Sequence, residues 1–195
     1  PPNAPTHDAS PGASSRGASR GIPTPGPPPR RAGRTTQRDG RVALEALAPL
    51  GRLTPAQARA LADTLADTTA GTRAGDGPAI RFTPWRTAVC LDLTPGEADR
   101  AERALTGSGL VTDPASPWAG VTACTGRPGC AKALADVQAD ARRWVQGLAH
   151  PPDAPDRAAG TPVHWAGCER RCGLPRGPVV ALIATGDGYR RGRPR

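Results

Sequence analysis

The sequence is poor in several things that would each mark a function. Aromatic residues make up 3% of its 195 positions, too few for the stacked aromatic platforms that grip single-stranded nucleic acid. No apolar run approaches the roughly 20 residues that a bilayer-crossing helix needs, and the N-terminus lacks the apolar stretch of a signal peptide. Lysine occurs once, as Lys132, beside an excess of Arg, Ala, Gly and Pro. That is the residue usage of GC-rich coding, so the arginines are not read as phosphate recognition. Methionine is absent even at position 1, and the expectation is a processed chain or a fragment of a longer protein. The formal charge of +9 suggests nucleic acid until it is located. Residues 1–41 hold seven Arg against Asp8 and Asp39, and the tail holds Arg190, Arg191, Arg193 and Arg195, which leaves 42–189 neutral. A nucleic-acid-binding domain carries its surplus on folded surface, so neither nucleic acid nor membrane is expected as a partner. A cytoplasmic setting is the default, and there grouped cysteines serve metals or redox chemistry more often than disulfides.

What is abundant forms loops. Gly and Pro number 24 each, and apolar residues are only 37%. Residues 1–40 concentrate Pro, Gly, Ser and Arg, with Ile22 their one large aliphatic. They read as a disordered arm, unable to bury enough surface to offset the entropy of ordering. Order begins near Val42 with the strand-length run VALEAL. Thr54 and Pro55 then supply an N-cap and first position for a helix with Leu61 and Leu65 on one face. Residues 79–93 read as two short strands, or one interrupted at Pro84. Thr94, Pro95 and Glu97 set up a capping box for a second helix, which Gly107 or Gly109 ends. The order β-α-β-β-α from 42 to 111 suggests half of a ferredoxin-like unit.

A second unit starts near Ser116. GVTAC reads as a strand delivering Cys124 to a turn, and Ala131 to Leu148 as a helix with Leu134, Val137, Ala141 and Trp144 or Val145 as its buried stripe. PVHWAG delivers Cys168, and PVVALIAT at 178–185 is apolar enough to be buried on both faces. Residues 150–160 read as a surface loop.

The chemistry lies in two brackets, ACTGRPGC and GCERRC, which space Cys124 from Cys130 as C-x5-C and Cys168 from Cys172 as C-x3-C. Each bracket follows a predicted strand, so two loops can converge at one side of a sheet. Four thiolates suit tetrahedral zinc or a cubane iron–sulfur cluster. Structural zinc takes pairs about two to four apart, so the wide first bracket favours the cluster over zinc, disulfides or unrelated thiols. Gly126 and Gly129 would let backbone amides approach inorganic sulfide. Cys90, in an apolar strand, reads as a small core residue, and His164, beside Trp165, as a core or edge histidine.

C-x5-C followed by C-x3-C resembles the cluster motif of the sulfite and nitrite reductase superfamily. Within it, IRFTPWR, SPWAGVTACTGRPGCAKALADVQADA, VHWAGCERRCGLP and IATGDGY together resemble the C-terminal half of precorrin-3B synthases. The resemblance implies an α+β fold. A ferredoxin-like half-domain would occupy 41–115, and an α/β iron–sulfur and tetrapyrrole-binding domain of the sulfite/nitrite reductase type 116–190, flanked by the arm 1–40 and a basic tail 191–195. It implies that Cys124, Cys130, Cys168 and Cys172 hold a 4Fe–4S cluster. In sirohaem-bearing relatives the cysteine matching Cys172 also bridges to the haem iron. In precorrin-3B synthases a precorrin takes the place of sirohaem, a separate mononuclear non-haem iron serves oxygen chemistry, and the reaction hydroxylates precorrin-3A and forms a lactone with electrons from a reduced donor. The second bracket departs from the TGCPNGC of sulfite reductases, because Glu169, Arg170 and Arg171 stand between its cysteines, and this weakens a sirohaem reductase reading.

Such a ligand is rich in carboxylates, which Arg81 and Arg86 can grip by bidentate, charge-assisted hydrogen bonds, with Thr83 adding a hydroxyl. If 79–83 is a strand, Arg81 and Thr83 share a face. The alternative is that these are ordinary charges at strand ends. Arg127, Arg170 and Arg171 either meet the same acidic ligand or are solvated turn residues. The family has two related halves and this chain matches the second, so an electron donor, a separate N-terminal half or a second copy are the expected partners. A non-catalytic electron-transfer module remains an alternative.

Overall fold

The computed structural model describes residues 32–69, 79–156 and 160–192. Most of the expected arm lies outside them. The first unit contains β1 (Gly33–Thr36), β2 (Val42–Leu47), α1 (Pro55–Thr69), β3 (Ile80–Phe82), β4 (Thr87–Leu93) and α2 (Pro95–Gly107). Its antiparallel sheet has the order β1-β2-β4-β3, and α2 packs on β2 and β4 and against α1. The β-α-β-β-α order read from sequence is present from β2 onward.

One expectation is corrected: the arm does not extend to residue 40, because Gly33–Thr36 pair with Val42–Glu45 as an edge strand. Composition hid this strand. GRTT has no large apolar residue and is mostly exposed, so it is held by the ladder and by Arg34, whose Nε and Nη2 both donate to Glu102 Oε2 and whose Nη1 pairs with Asp99 on α2. Just beyond β1, next to Leu47 of β2, the chain returns after α2 and Val111 pairs with Leu47 through both backbone groups.

Both helices start as expected. Thr54 accepts from the Gln57 backbone N–H while the Gln57 side chain accepts from that of Thr54, and Thr94 and Glu97 do the same for α2. Gly109, in the left-handed region at φ 88°, lets the chain leave α2 with Leu110 N–H bonded back to Leu105. Leu44, Leu61, Leu93, Leu105 and Leu110 fill the core beneath them.

The second unit contains β5 (Val121–Ala123), α3 (Val137–Val145), β6 (Val163–Ala166), β7 (Val180–Ala184) and β8 (Tyr189–Arg191). Strands β5, β6 and β7 are parallel and β8 is antiparallel to β7, in the order β5-β6-β7-β8. All four residues of β6 are buried, as are Ala181–Ala184 of β7, the burial on both faces expected of a covered parallel strand. The basic tail begins later than expected, since Arg191 is part of β8 and its side chain donates to the Asp153 carbonyl.

The helix expected from Ala131 to Leu148 is shorter, starting only at Val137. Its would-be first turns are spent elsewhere: Leu134 N–H bonds to the Gly167 carbonyl, Ala133 N–H to Cys130, and the Ala133 and Ala135 carbonyls accept from Arg127. Asp136 then caps α3 through the Ala139 N–H. Val137, Ala141, Trp144 and Val145 form the buried stripe, but Leu134 is 52% exposed.

The two units are joined through Leu50, in a short 3-10 turn after β2. Leu50 has φ 56°, a region costing a branched residue roughly 1–2 kcal/mol. Its side chain is nevertheless buried in the second unit's core among residues such as Val121, Trp144 and Val163.

Candidate metal centre at the edge of the parallel sheet

Parallel pairing fixes where the brackets go. Ala123 pairs with Trp165, so Cys124 leaves β5 one residue beyond that pair and Cys168 leaves β6 three residues beyond it. Both loops therefore emerge at the carboxyl edge of adjacent parallel strands, the edge where open α/β sheets bind ligands. An open pocket of about 360 Å³ lies there, lined by Lys132, Leu134, Cys168, Glu169, Arg170, Thr185 and Ala184 at the end of β7.

Cys124 is the most constrained of the four. Its N–H continues the ladder to the Trp165 carbonyl, its carbonyl accepts from Gln138 Nε2 at 3.2 Å, and its sulfur accepts from the Gly167 N–H at 3.1 Å. Gly167 cannot carry a side chain here, since a Cβ would stand 2.7 Å from the Ala133 Cβ. Gly126, at φ 65°, closes the turn that lets Cys130 N–H reach the Gly126 carbonyl. Cys130 and Cys168 are half-buried and Cys172 is exposed.

Among the described residues no three His, Cys, Asp or Glu side chains gather around one point as a single ion requires. A cubane instead asks for thiolates at separate iron corners, with amides donating to sulfur. Two cysteine pairs on facing loops, and a backbone N–H already bonded to one sulfur, fit that demand. Cys90 is buried between sheet and helices, and burial pushes its thiol up to about 11. It is the core residue expected.

His164 is also a core residue. Its Nδ1 shares a hydrogen bond of 2.8 Å with Thr122 Oγ1 on β5. Burial first, and then the Arg86 guanidinium, hold it down to about 4, offset in part by the Cys172 backbone near the ring. Arg86, in the β3–β4 turn of the first unit, is thus near enough to His164 for its charge to contribute to that shift. Arg86 itself is half-buried, and burial holds its guanidinium below the usual range. Its stem crosses Gly51 so closely that a Cβ there would lie 2.2 Å from Arg86 Cδ.

The other two residues of the expected ligand grip are placed differently. Arg81 is exposed on β3. Thr83 lies outside that strand, in the turn, where its hydroxyl shares a bond with Thr87, which donates to Glu45. Thr83 also accepts from the Trp85 N–H, so its first role is closing the hairpin. Phe82 and Trp85 on the same hairpin are 69% and 53% exposed. Of the bracket arginines, Arg127 braces the first loop from within, and Arg170 lines the pocket.

Sequence reasoning missed Gln138, Gly167 and the Leu50–Arg52 turn. Gly167 had a usable signal, a glycine between a buried strand and a cysteine. Gln138 had none, because a polar residue beside Val137 reads as the solvent face of the helix.

Residues 35–107 match the family model of the nitrite/sulfite reductase ferredoxin-like half domain. The chain is 31% identical over 149 residues to an assimilatory ferredoxin-dependent nitrite reductase of Haloferax mediterranei, covering 75% of this chain and 24% of the relative. It is 29% identical over 112 residues to a precorrin-3B synthase of a Sinorhizobium species, covering 57% and 23%. It thus spans about a quarter of the length of these curated relatives. The solved structure of the Mycobacterium tuberculosis NirA protein superposes with a TM-score of 0.59 at 24% identity, over 83% of this chain and 30% of that one, and shares its fold. Among the described residues no helix is long and apolar enough to cross a membrane.

Proposed function

We propose that this chain, with its nitrite/sulfite reductase ferredoxin-like half domain at 35–107, is the cluster-bearing half of an oxidoreductase that works on or with a tetrapyrrole. The first reading is an activity of the precorrin-3B synthase kind. The observation that carries the cluster half of this reading is the exit of both cysteine brackets from one carboxyl edge of β5 and β6. Cys124, Cys130, Cys168 and Cys172 would hold a 4Fe–4S cluster, which supplies one-electron transfer when bound. The Gly167 N–H on Cys124 Sγ would favour the electron-rich form of that ligand. Arg86, whose stem lies over Gly51 beside the turn that carries Leu50 into the second core, is the arginine we assign to a carboxylate of the tetrapyrrole. Arg81 would bind a more peripheral carboxylate, and Thr83 would act by holding the turn. A separate mononuclear iron belongs to the synthase reading and has no residue assigned here.

A sirohaem-dependent nitrite or sulfite reductase is the second reading, favoured by the longer match to the nitrite reductase. Either reading calls for an electron donor, a reducing cytoplasmic setting, and a complementary half supplied by further chain, a separate subunit or a second copy. The exposed Phe82, Trp85, Leu134 and Leu148 support such a partner surface.

The test is anaerobic reconstitution with iron and sulfide, followed by metal analysis and electron paramagnetic resonance of the reduced protein. About four irons and four sulfides per chain are expected, lost in Cys130→Ser and Cys168→Ser. One tightly bound zinc, or no metal in a folded chain, would end the redox reading. Absorption titrations with sirohaem and with a precorrin then separate the two readings, and Arg86→Ala should weaken binding of the true ligand more than Arg81→Ala.

A further inference from the structure

We propose that Gln138 is a positioning residue for Cys124 and that Arg52 of the half domain holds Gln138 in that role. The inference rests on the reading of Cys124 as a cluster ligand, but its geometry stands on its own. Gln138, at 6% exposure, is a buried polar side chain in the first turn of α3. Its amide uses both ends. Nε2 donates to the Cys124 carbonyl at 3.2 Å, and Oε1 accepts from Arg52 Nη1 at 3.1 Å. A buried amide with both ends bonded is fixed in orientation, because flipping it would set donor against donor and acceptor against acceptor.

The effect is specific to one thiol. Cys130 is held by bonds within its own loop, from its N–H to Gly126 and from Ala133 N–H to its carbonyl. Cys168 bonds through its carbonyl to Arg171 N–H, again inside its bracket. Only Cys124 among the four is tied by described bonds to the half domain, through Gln138 and Arg52. Arg52 follows the turn that carries Leu50 into the second core, so its position is set by packing between the units. Seating of the half domain is thereby transmitted to the first cysteine, and a displaced half domain would loosen that cysteine alone.

The experiment measures alkylation by iodoacetamide of Cys124 and Cys130 in the apo-protein, resolved by peptide mass spectrometry, and cluster loss to a chelator in the reconstituted protein. Gln138→Leu should speed Cys124 alkylation about five-fold, the weight of one ordinary hydrogen bond, while Cys130 is unchanged. Gln138→Glu keeps an acceptor for Arg52 but cannot donate to the Cys124 carbonyl, so it should behave like Gln138→Leu. Arg52→Ala, an exposed change that leaves the core intact, should give about a two-fold rise at Cys124 and add nothing to Gln138→Leu. In the loaded protein the same order should appear in the rate of cluster loss. Unchanged Cys124 reactivity in Gln138→Glu and Arg52→Ala, or equal acceleration at Cys124 and Cys130, would overturn the proposal. If wild type takes up no cluster, the cluster reading fails while the alkylation arm still decides this one.

Discussion

The two units of this chain solve the same problem under different rules. In the first, an antiparallel sheet with two reciprocally capped helices satisfies its buried polar groups, as in the chain from Thr83 through Thr87 to Glu45. In the second, the Nε1 atoms of Trp144 and Trp165 are buried with no hydrogen-bond partner among the described residues. Its helix is cut to nine residues so that the preceding loop can bond to the bracket. In the second unit the conflict between local preference and fold falls around the brackets, and such conflict concentrates where a fold serves a site rather than its own stability. On the function proposed above, the half domain is the scaffold and the parallel sheet the working edge.

The largest effect should come from truncating the aromatic centre of the working unit. Trp165 is fully buried, 6.0 Å from Trp144 and edge-on to Tyr189 at 4.8 Å. Trp165→Ala should cost about 3–5 kcal/mol, against about 2–5 for Leu44→Ala in the scaffold. Because Leu50 bridges the cores, urea unfolding followed by circular dichroism and by the fluorescence of the remaining tryptophans should move as one transition in both variants. Two separated transitions would break the picture of a scaffold physically committed to its edge.

Much of this division was legible in the sequence. Caps at Thr54 and Thr94, the hairpin around Pro84 and the buried run of β7 follow from local chemistry, which residue order carries directly. The bracket positions followed from strands that deliver cysteines. What was illegible depended on distant partners. Strand β1 has no apolar signature and exists because β2 and the Arg34 pairings hold it. The missing first turns of α3 were lost to Gly167 and Arg127, residues outside the helix. Leu50 reads as the end of an apolar run, and nothing local says that it belongs to another core. Arg81 and Thr83 looked alike on a strand, yet the turn at Thr83 separates them.

Cysteine itself sharpens the contrast. Cys90 lies in the scaffold core, its thiol pushed up to about 11 by burial from an ordinary 9.0. Below pH 9 it is protonated in both folded and unfolded chains and adds no pH dependence. As pH rises from 9 towards 11 the unfolded thiol ionises while the folded one does not. Stability should therefore fall over that window by up to about 3 kcal/mol. Chemical denaturation of wild type and Cys90→Ala at pH 8 and pH 10.5 checks this, the variant having the shallower alkaline slope, since the part due to Tyr189, which burial and Asp140 also push up, is common to both. An equal slope in both would mean that the core opens enough to hydrate the thiol.

A smaller effect tests the joint between the units. Gly51 sits at φ 75° directly beneath the Arg86 stem. Gly51→Ala should cost about 1–2 kcal/mol from the left-handed backbone, plus whatever is needed to displace Arg86. In an Arg86→Ala background the steric share vanishes and only the backbone share stays. Thermal melts of the four proteins in this double-mutant cycle should give a non-additive result. Additivity would show that Arg86 moves aside freely, and would weaken its candidacy as a pre-positioned ligand grip.

The smallest effect belongs wholly to the scaffold. Thr94 Oγ1 accepts from the Glu97 N–H, and the Glu97 carboxylate accepts from the Thr94 N–H at 2.7 Å. The Thr94 N–H foremost, and then the Thr94 hydroxyl donating to the same carboxylate at 2.8 Å, hold the Glu97 carboxyl below its usual range. Thr94→Ala removes one arm of the box and should cost about 1 kcal/mol, whereas Thr94→Ser keeps the oxygen and should cost little. The capped end of α2 touches neither Leu50 nor Arg52 through any described bond, so native-state alkylation of Cys124 should be the same in Thr94→Ala as in wild type. The pair of readouts is what matters: a lower melting point with an unmoved Cys124 marks a change confined to the scaffold. A Cys124 that reacts faster in Thr94→Ala would mean that loosening the half domain anywhere reaches the working edge, and the specific path through Arg52 and Gln138 would lose its privilege.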